Sequence, residues 1–351
     1  MRSYSEHGRA AAKVPELLAR LLGISLAEVE AHAEDSSGAD LVVKAAGQTF
    51  VVEFKKSTGA APIAAASRQL REYTKRFSKK AVPLLAVPFM GEVGRRLCEE
   101  AGVGWIDLSG NARIIAPGIR VIVDGRPNLF RSAGRPSNVF AAKSSRVVRW
   151  LLIHPAESLT QRQISHATDM TEGFVSRIVR RLEQEDYLVR DEHGAVRPKD
   201  PALLLDAWRD AYRFSSHTFH KGHVAARSGD ALLRFVSDNL IKLGIKHAAT
   251  GLAGAWALTH FAAFRIATVY MPADPSPKLL ERLGYREDAR GANLWLVVPN
   301  DAGVFQDAVE KDGIRCVHPV QVYVDLKDHP ERASEAAEHL RTELLTWKRD
   351  G

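Results

Sequence analysis

The sequence predicts an α/β multidomain chain in three parts: an N-terminal α/β domain over residues 1–124, a central winged helix-turn-helix over 143–199 and a C-terminal α/β domain over 200–351, with a basic linker at 125–142. Three observations carry that prediction. Strand-like and helix-like periods alternate between Leu41 and Asp107. Two short amphipathic helices and a hairpin follow one another between Thr160 and Pro198. The last third runs through a helix and several strands and closes on an amphipathic helix.

In the first part, Leu41 to Lys56 reads as a hairpin turning at Ala46-Gly47, followed by a helix from about Ala64 to Phe77. A buried strand PLLAVPF, a helix GEVGRRLCEEAG and a short strand at Trp105-Ile106-Asp107 complete a mixed sheet. Gly102 and Gly110 permit tight turns, and Asp107 and Asn111 are suited to binding the loop backbone. From Gly125 to Ala142 the chain has two Gly-Arg-Pro triplets, few aliphatic residues and no periodicity, which reads as a tether or as an arm for an AT-rich minor groove.

The central part has the clearest pattern. A first helix buries Ile164 and Ala167, Asp169-Met170 breaks it, and a second helix opens at Thr171 with Glu172 in its first turn. Phe174, Val175, Ile178, Val179 and Leu182 recur at the spacing of a packed stripe, while Ser176, Arg177, Arg180 and Arg181 fall elsewhere on the circle. Such a helix fits a major groove, with Thr171 and Ser176 nearest base edges and the arginines on bases or phosphates. The hairpin at His193-Gly194, flanked by Arg190 and Arg197, would reach the adjacent backbone. A small helical domain used only for protein contacts remains the alternative.

Composition bounds these readings. The 351 residues carry a net charge of +7, a hydrophobic content of 45% and a mean hydropathy of −0.18, ordinary for a soluble globular chain. Lys and Arg against Asp and Glu count 20 to 14 in residues 1–142, 10 to 8 in 143–199 and 19 to 20 thereafter, so a polyanion is expected on the first two segments. No apolar run approaches the ~20 residues of a membrane span. The N-terminus MRSYSEHGRAAAK has no apolar signal core, so a cytoplasmic protein is expected. Cys98 and Cys316 stand far apart without companion ligands and are expected as buried thiols rather than a disulfide or zinc site.

Asp40 opens the first strand of the hairpin and Glu53-Phe54-Lys55 ends the second, so that Glu53 and Lys55 share a face and converge with Asp40. Asp40 and Glu53 would hold a hard divalent cation, and Lys55 would stabilise charge at a scissile phosphate or orient water. The pattern resembles the PD-(D/E)XK, restriction-endonuclease-like superfamily, and Gln69 and Tyr73 on the next helix match its Gln-x-x-x-Tyr element. The resemblance implies a restriction-endonuclease-like α/β domain, with Asp40, Glu53, Lys55 and Gln69 catalytic and Mg²⁺ bound if the nuclease is active. Gly38-Ala39 stands where that superfamily usually has proline. The same residues also read as solvated strand-end charges, or as a nuclease fold that kept only its DNA-binding shape.

The stretch GVGWIDLSGNARI, Gly102 to Ile114, resembles a signature of the N-terminal part of AbiEi-like regulators, the antitoxins of type IV toxin–antitoxin systems. The runs Asn293 to Asp301 and Pro319 to Leu326, leading into Glu335 and Leu340, are similar to the C-terminal domain of those antitoxins. The resemblance implies an antitoxin-like C-terminal α/β domain and an autorepressor that binds operator DNA through its winged helix. It also implies a nucleotidyltransferase-like toxin as partner. Transferase chemistry in this chain is not expected, since no Asp-x-Asp pair follows Gly251 or Gly254. A homodimer is expected because a helix-turn-helix gains affinity by spanning two half-sites. No cofactor is required on the regulator reading.

Three further features are noted. His217, His220 and His223 have the spacing of one side of a helix and read as a polar interdomain face or a metal site. Lys75, Arg76, Lys79 and Lys80 read as a phosphate grip or a solvated helix end. Leu203 to Leu205, Trp208 and Tyr212 form a stripe expected to pack the winged domain onto the last one.

Overall fold

The computed structural model describes residues 11–33, 39–56, 59–78, 80–130, 139–287 and 290–347. The chain divides into two compact units, Met1–Pro136 and Ser137–Gly351.

The first unit is a seven-stranded mixed sheet with helices on both faces. Helix α1 (Val14–Leu22) starts with proline in its first turn and stops at left-handed Gly23. Strands β1 (Glu30–Ala33), β2 (Leu41–Ala45) and β3 (Gln48–Phe54) form an antiparallel meander, with Ala46-Gly47 turning at positive φ as the sequence indicates. Helix α2 (Ala60–Phe77) and helix α3 (Glu92–Ala101) are the crossovers that set β4 (Val82–Val87) and β5 (Gly104–Asp107) parallel to β3. A second hairpin, β6 (Ala112–Ala116) and β7 (Ile119–Val123), completes the order β1 to β7. Adjacent strand residues are both buried because each face has its own core. Phe50, Val52 and Leu84 pack with Leu17 and Leu18 of α1, while Val51, Leu85 and Trp105 pack with Ile63 and Leu70 of α2.

The turn at Gly102 to Ile114 is held from within. Asp107 is fully buried, and its carboxylate accepts from the backbone N–H groups of Met90 (3.1 Å) and Asn111 (2.9 Å) and from the Asn111 amide (2.9 Å). Asn111 in turn accepts from the Arg126 N–H at 2.8 Å, which ties the start of the expected linker to the sheet. Its far end is also packed, since Val139 is buried and Phe140 stacks edge-on to Tyr187. Arg135 of the second Gly-Arg-Pro triplet, and Lys79 of the basic cluster, lie outside the described residues.

The second unit joins the winged helix to a larger α/β part. Helices α4 (Ser145–Ile153), α5 (Gln161–Thr168) and α6 (Glu172–Gln184) precede a two-stranded wing, β8 (Leu188–Arg190) and β9 (Val196–Pro198). Helix α7 (Pro201–Ala211) buries Leu204, Leu205 and Trp208 and leads without a break in packing into the α/β part, so the boundary expected at residue 200 lies inside one compact unit. There follow β10 (Thr218–His223), α8 (Gly229–Lys242), β11 (Ala248–Thr250), α9 (Gly251–Thr259), β12 (Ala267–Tyr270), α10 (Pro277–Leu283), β13 (Arg286–Glu287), β14 (Leu294–Val298), β15 (Val309–Lys311), β16 (Ile314–Cys316), α11 (Pro319–Asp325) and α12 (Ala333–Leu344). The sheet order is β13-β10-β14-β12-β11-β16-β15. Helix α11 buries every residue from Val320 to Asp325, and that all-round burial offsets the strand preference of its three valines.

The histidine spacing does not lie on a helix. Residues 218–223 are strand β10, paired with β14 so that Phe219 faces Val297 and Lys221 faces Trp295. With a period of two, His220 and His223 point to opposite faces, and His217 precedes the strand. Gly222 fits because a side chain there would meet the Tyr285 ring at 2.2 Å. Among the described residues no three His, Cys, Asp or Glu side chains assemble to hold a metal ion, and no helix is long and apolar enough to cross a membrane.

Candidate nucleic-acid interface

Helix α5 begins with a reciprocal cap: Thr160 Oγ1 accepts from the Gln163 N–H at 3.2 Å, and Gln163 Oε1 accepts from the Thr160 N–H at 2.8 Å. Ile164 and Thr168 are its buried residues, and Ala167 is half-buried. Asp169 takes the left-handed conformation at φ 51° to end α5, and buried Met170 anchors the turn. Thr171 is the N-cap of α6 but makes no side-chain capping bond, so its hydroxyl stands exposed at the helix start.

Val175, Ile178, Val179 and Leu182 are the buried stripe of α6. Phe174 is only half-buried, because its ring carries Lys143 at 5.8 Å and Arg177 at 5.3 Å instead of joining the core. Ser176 is half-buried, while Arg177, Arg180 and Arg181 are exposed. These arginines differ in what already holds them. Arg181 pairs with Glu185 at 2.7 Å, whereas among the described residues no carboxylate pairs with Arg177 or Arg180.

In the wing, Asp191 Oδ1 accepts from the N–H groups of His193 (3.0 Å) and Ala195 (2.9 Å), which folds the tip around Gly194 at φ 83°. Arg190 grips Glu183 of α6 through two bonds of 2.8 and 2.9 Å and reaches the Gly194 carbonyl at 2.6 Å. The Glu183 contact holds its guanidinium above the usual arginine range. Arg190 therefore braces the wing against the helix, and Arg197 lies half-buried on β9. Two cations escaped the sequence reading: Lys143, before α4, and exposed Arg162 in the first turn of α5. Neither belongs to the arginine-rich helix, which is the signal that reading followed.

The helix pair is fixed from behind by α4. Arg146 and buried Arg149 both reach residues of the α/β part. Arg149 Nε donates to Gln321 Oε1 at 2.9 Å and its Nη1 to Gln306 Oε1 at 3.0 Å, with the Trp208 ring 5.1 Å away. Gln321 Nε2 passes the contact on to Asp325 at 2.7 Å, and Asp325 also accepts from Thr250, from Tyr212 at 2.5 Å and from Tyr270 at 3.2 Å. Burial pushes the Asp325 carboxyl up to about 6 despite these donors. Burial likewise drives His217, beside Tyr212, down to about 4. Arg149, Gln321, Asp325, Thr250 and Tyr270 of this network are buried, while Tyr212 and Gln306 are half-buried.

In the first unit, Asp40 Oδ2 accepts from the Phe54 N–H at 2.7 Å, which places it beside the end of β3. Glu53 and Lys55 pair at 2.5 Å on one face of that strand end. Gln69 is exposed on α2, four residues before half-buried Tyr73. Mg²⁺ takes one or two carboxylates and keeps its waters, so Asp40 and Glu53 suit it in kind, with Lys55 already engaged by Glu53.

Residues 142–197 match the model of the MarR family, and residues 195–346 match that described as transcriptional regulator, AbiEi antitoxin, type IV toxin–antitoxin system. No curated protein and no solved structure gives a significant match to the chain. The two matched segments meet inside one compact unit. Together they support a DNA-binding transcriptional regulator of the AbiEi antitoxin kind.

Proposed function

We propose that this protein represses transcription by laying α6 in the major groove of operator DNA as a homodimer, and that its C-terminal part neutralises a nucleotidyltransferase-like toxin. The observation that carries the DNA reading is the division of α6: one face buried through Val175, Ile178, Val179 and Leu182, the other offering exposed Arg177 and Arg180 with no carboxylate partner among the described residues. Thr171 and Ser176 stand nearest the base edges, while Arg181, Arg190 and Arg197 line the phosphate side, with Lys143 and Arg162 added from the flanking helices. The MarR-type and AbiEi-type segments support the same reading. The toxin rests on the AbiEi resemblance alone.

A second reading is favoured by one observation, that Asp40 bonds the Phe54 N–H while the flanking Glu53 and Lys55 pair with each other at the end of β3. On that reading the first unit is a restriction-endonuclease-like DNA endonuclease targeted by the winged helix. Asp40 and Glu53 would hold Mg²⁺, which would polarise the scissile phosphate, and Lys55 and Gln69 would position phosphate and water.

A gel shift with the DNA upstream of the gene, run with and without Mg²⁺, tests both. The regulator gives a retarded, uncut band in either condition, lost in the Arg177→Ala/Arg180→Ala double variant. High affinity retained by that variant rejects the winged-helix mechanism. Cleavage that needs Mg²⁺ and disappears in Asp40→Ala establishes the nuclease instead.

A further inference from the structure

Strand β7 closes one side of the first unit's sheet, and among the described residues no strand pairs with its outer edge. It is five residues of Ile-Arg-Val-Ile-Val. Natural edges are blunted by proline, bulges or inward-pointing charge. Here Ile119 and Val121 pack on the core, Val123 shares their face, and the only charge, Arg120, points outward.

Among the described residues, the outward face is covered only at Arg113, which pairs with Glu99 of α3 at 3.1 Å. The strand register puts Arg113 opposite Ile122 and Ile115 opposite Arg120, so these four share the face away from α1. The core layer on that side, built from α2 and α3, includes no residue of β6 or β7. Ile115 and Ile122 are consequently 49% and 48% exposed, two adjacent branched side chains beside an open edge.

From this we infer that β7 pairs antiparallel with β7 of a second copy, with Ile122 on the two-fold axis. Charge complementarity selects both the occupant and the register. With Ile122 facing its own counterpart, Arg120 stands opposite the partner's Asp124, and Val121 opposite the partner's Val123. Asp124 lends one oxygen to Arg95 at 2.6 Å and keeps Oδ2 for the incoming guanidinium. The Arg120–Asp124 and Val121–Val123 pairings each occur twice, once on either side of the axis, as an isologous interface requires. The pairing continues the sheet across both copies, buries the four exposed isoleucines as one strip and satisfies the edge backbone.

The inference takes from the proposed function only that two copies act together. It is tested without DNA, so its failure is distinct from that of the winged-helix reading. By sedimentation of the full chain at tens of micromolar, the wild type has twice the 38.7 kDa chain mass. Ile122→Glu, which sets two carboxylates against each other on the axis, has the single-chain mass with an unchanged unfolding transition. A monomeric wild type, or a dimer that survives Ile122→Glu, overturns the proposal. For the register, facing residues lie about 5 Å apart, within disulfide reach. The native thiols Cys98 and Cys316 are buried and stay silent. Under copper phenanthroline, Ile122→Cys cross-links to itself. Arg120→Cys and Asp124→Cys cross-link only when mixed. Self-linking of Arg120→Cys in preference to Ile122→Cys overturns the register.

Discussion

Arg146 holds Asp301 through two hydrogen bonds of 2.7 and 3.0 Å while its remaining guanidinium nitrogen reaches the Thr168 carbonyl at 3.2 Å. One side chain thereby ties the turn before the recognition helix to the α/β part, 155 residues later in the chain. Asp301 is itself fixed, since its Oδ1 accepts from the Gly303 N–H at 2.7 Å. The hydrogen bonds to this carboxylate raise the Arg146 pKa above its ordinary value.

Arg146→Ala is expected to cost about 1–3 kcal/mol, because it strands a mostly buried carboxylate. Urea unfolding of the full chain measures it. DNA affinity falls further than the loss of one positive charge explains, since the turn loses its anchor. Equal effects of Arg146→Ala and Arg146→Lys on unfolding would show that the forked geometry contributes nothing.

Salt titration separates the arginines. Arg177→Ala and Arg180→Ala should each weaken DNA binding by about 1–3 kcal/mol for a base contact, or reduce the slope of log K against log salt by about one for a phosphate contact. Arg181→Ala should do less, because Glu185 already neutralises it. Filter binding at four salt concentrations reads out both quantities.

Acid should destabilise the second unit. His217, His318 and His329 are each pushed by burial from 6.5 to about 4, so they stay neutral in the fold while the unfolded chain takes up protons between pH 6.5 and 4. Their contribution is present above 6.5 and is lost as pH falls towards 4. Asp325 works in the opposite sense: raised to about 6, it protonates in the fold first and favours the native state between pH 6 and 4. Each pKa unit is worth about 1.4 kcal/mol, and three depressed histidines outweigh one raised carboxyl. The melting temperature should therefore drop from pH 7 to 4.5, and a profile that rises over this range contradicts the assignment.

Gly229 opens α8 where any side chain would sit 2.1 Å from the backbone carbonyl of Phe264. Backbone cannot swing aside as a side-chain tip can, so Gly229→Ala is expected to cost about 3 kcal/mol. Thermal unfolding checks it, with Gly173→Ala, which has open space around it, as the neutral comparison.

Local signals in the sequence determined the winged helix almost in full. The cap at Thr160, the break at Asp169, the stripe on α6 and the turn at Gly194 are each set within a few residues, so periodicity and turn chemistry suffice to read them. The β2-β3 hairpin and the Asp107-Asn111 turn were legible for the same reason. The β6-β7 hairpin carries a local signal as well, Pro117-Gly118 between two strand-like runs with Gly118 at φ 77°, although it escaped the sequence reading. Tertiary structure alone decided the rest. Residues 218–223 became a strand because β14 pairs with them from some seventy-five positions away. Which arginines remain available was legible only in part: Arg181 and Glu185 stand at i,i+4 on one helix, whereas Glu183 claims Arg190 only once the helix and wing are built. Contacts distant in sequence leave no periodic trace along it, and charge pairing depends on where side chains end up, not on how many there are.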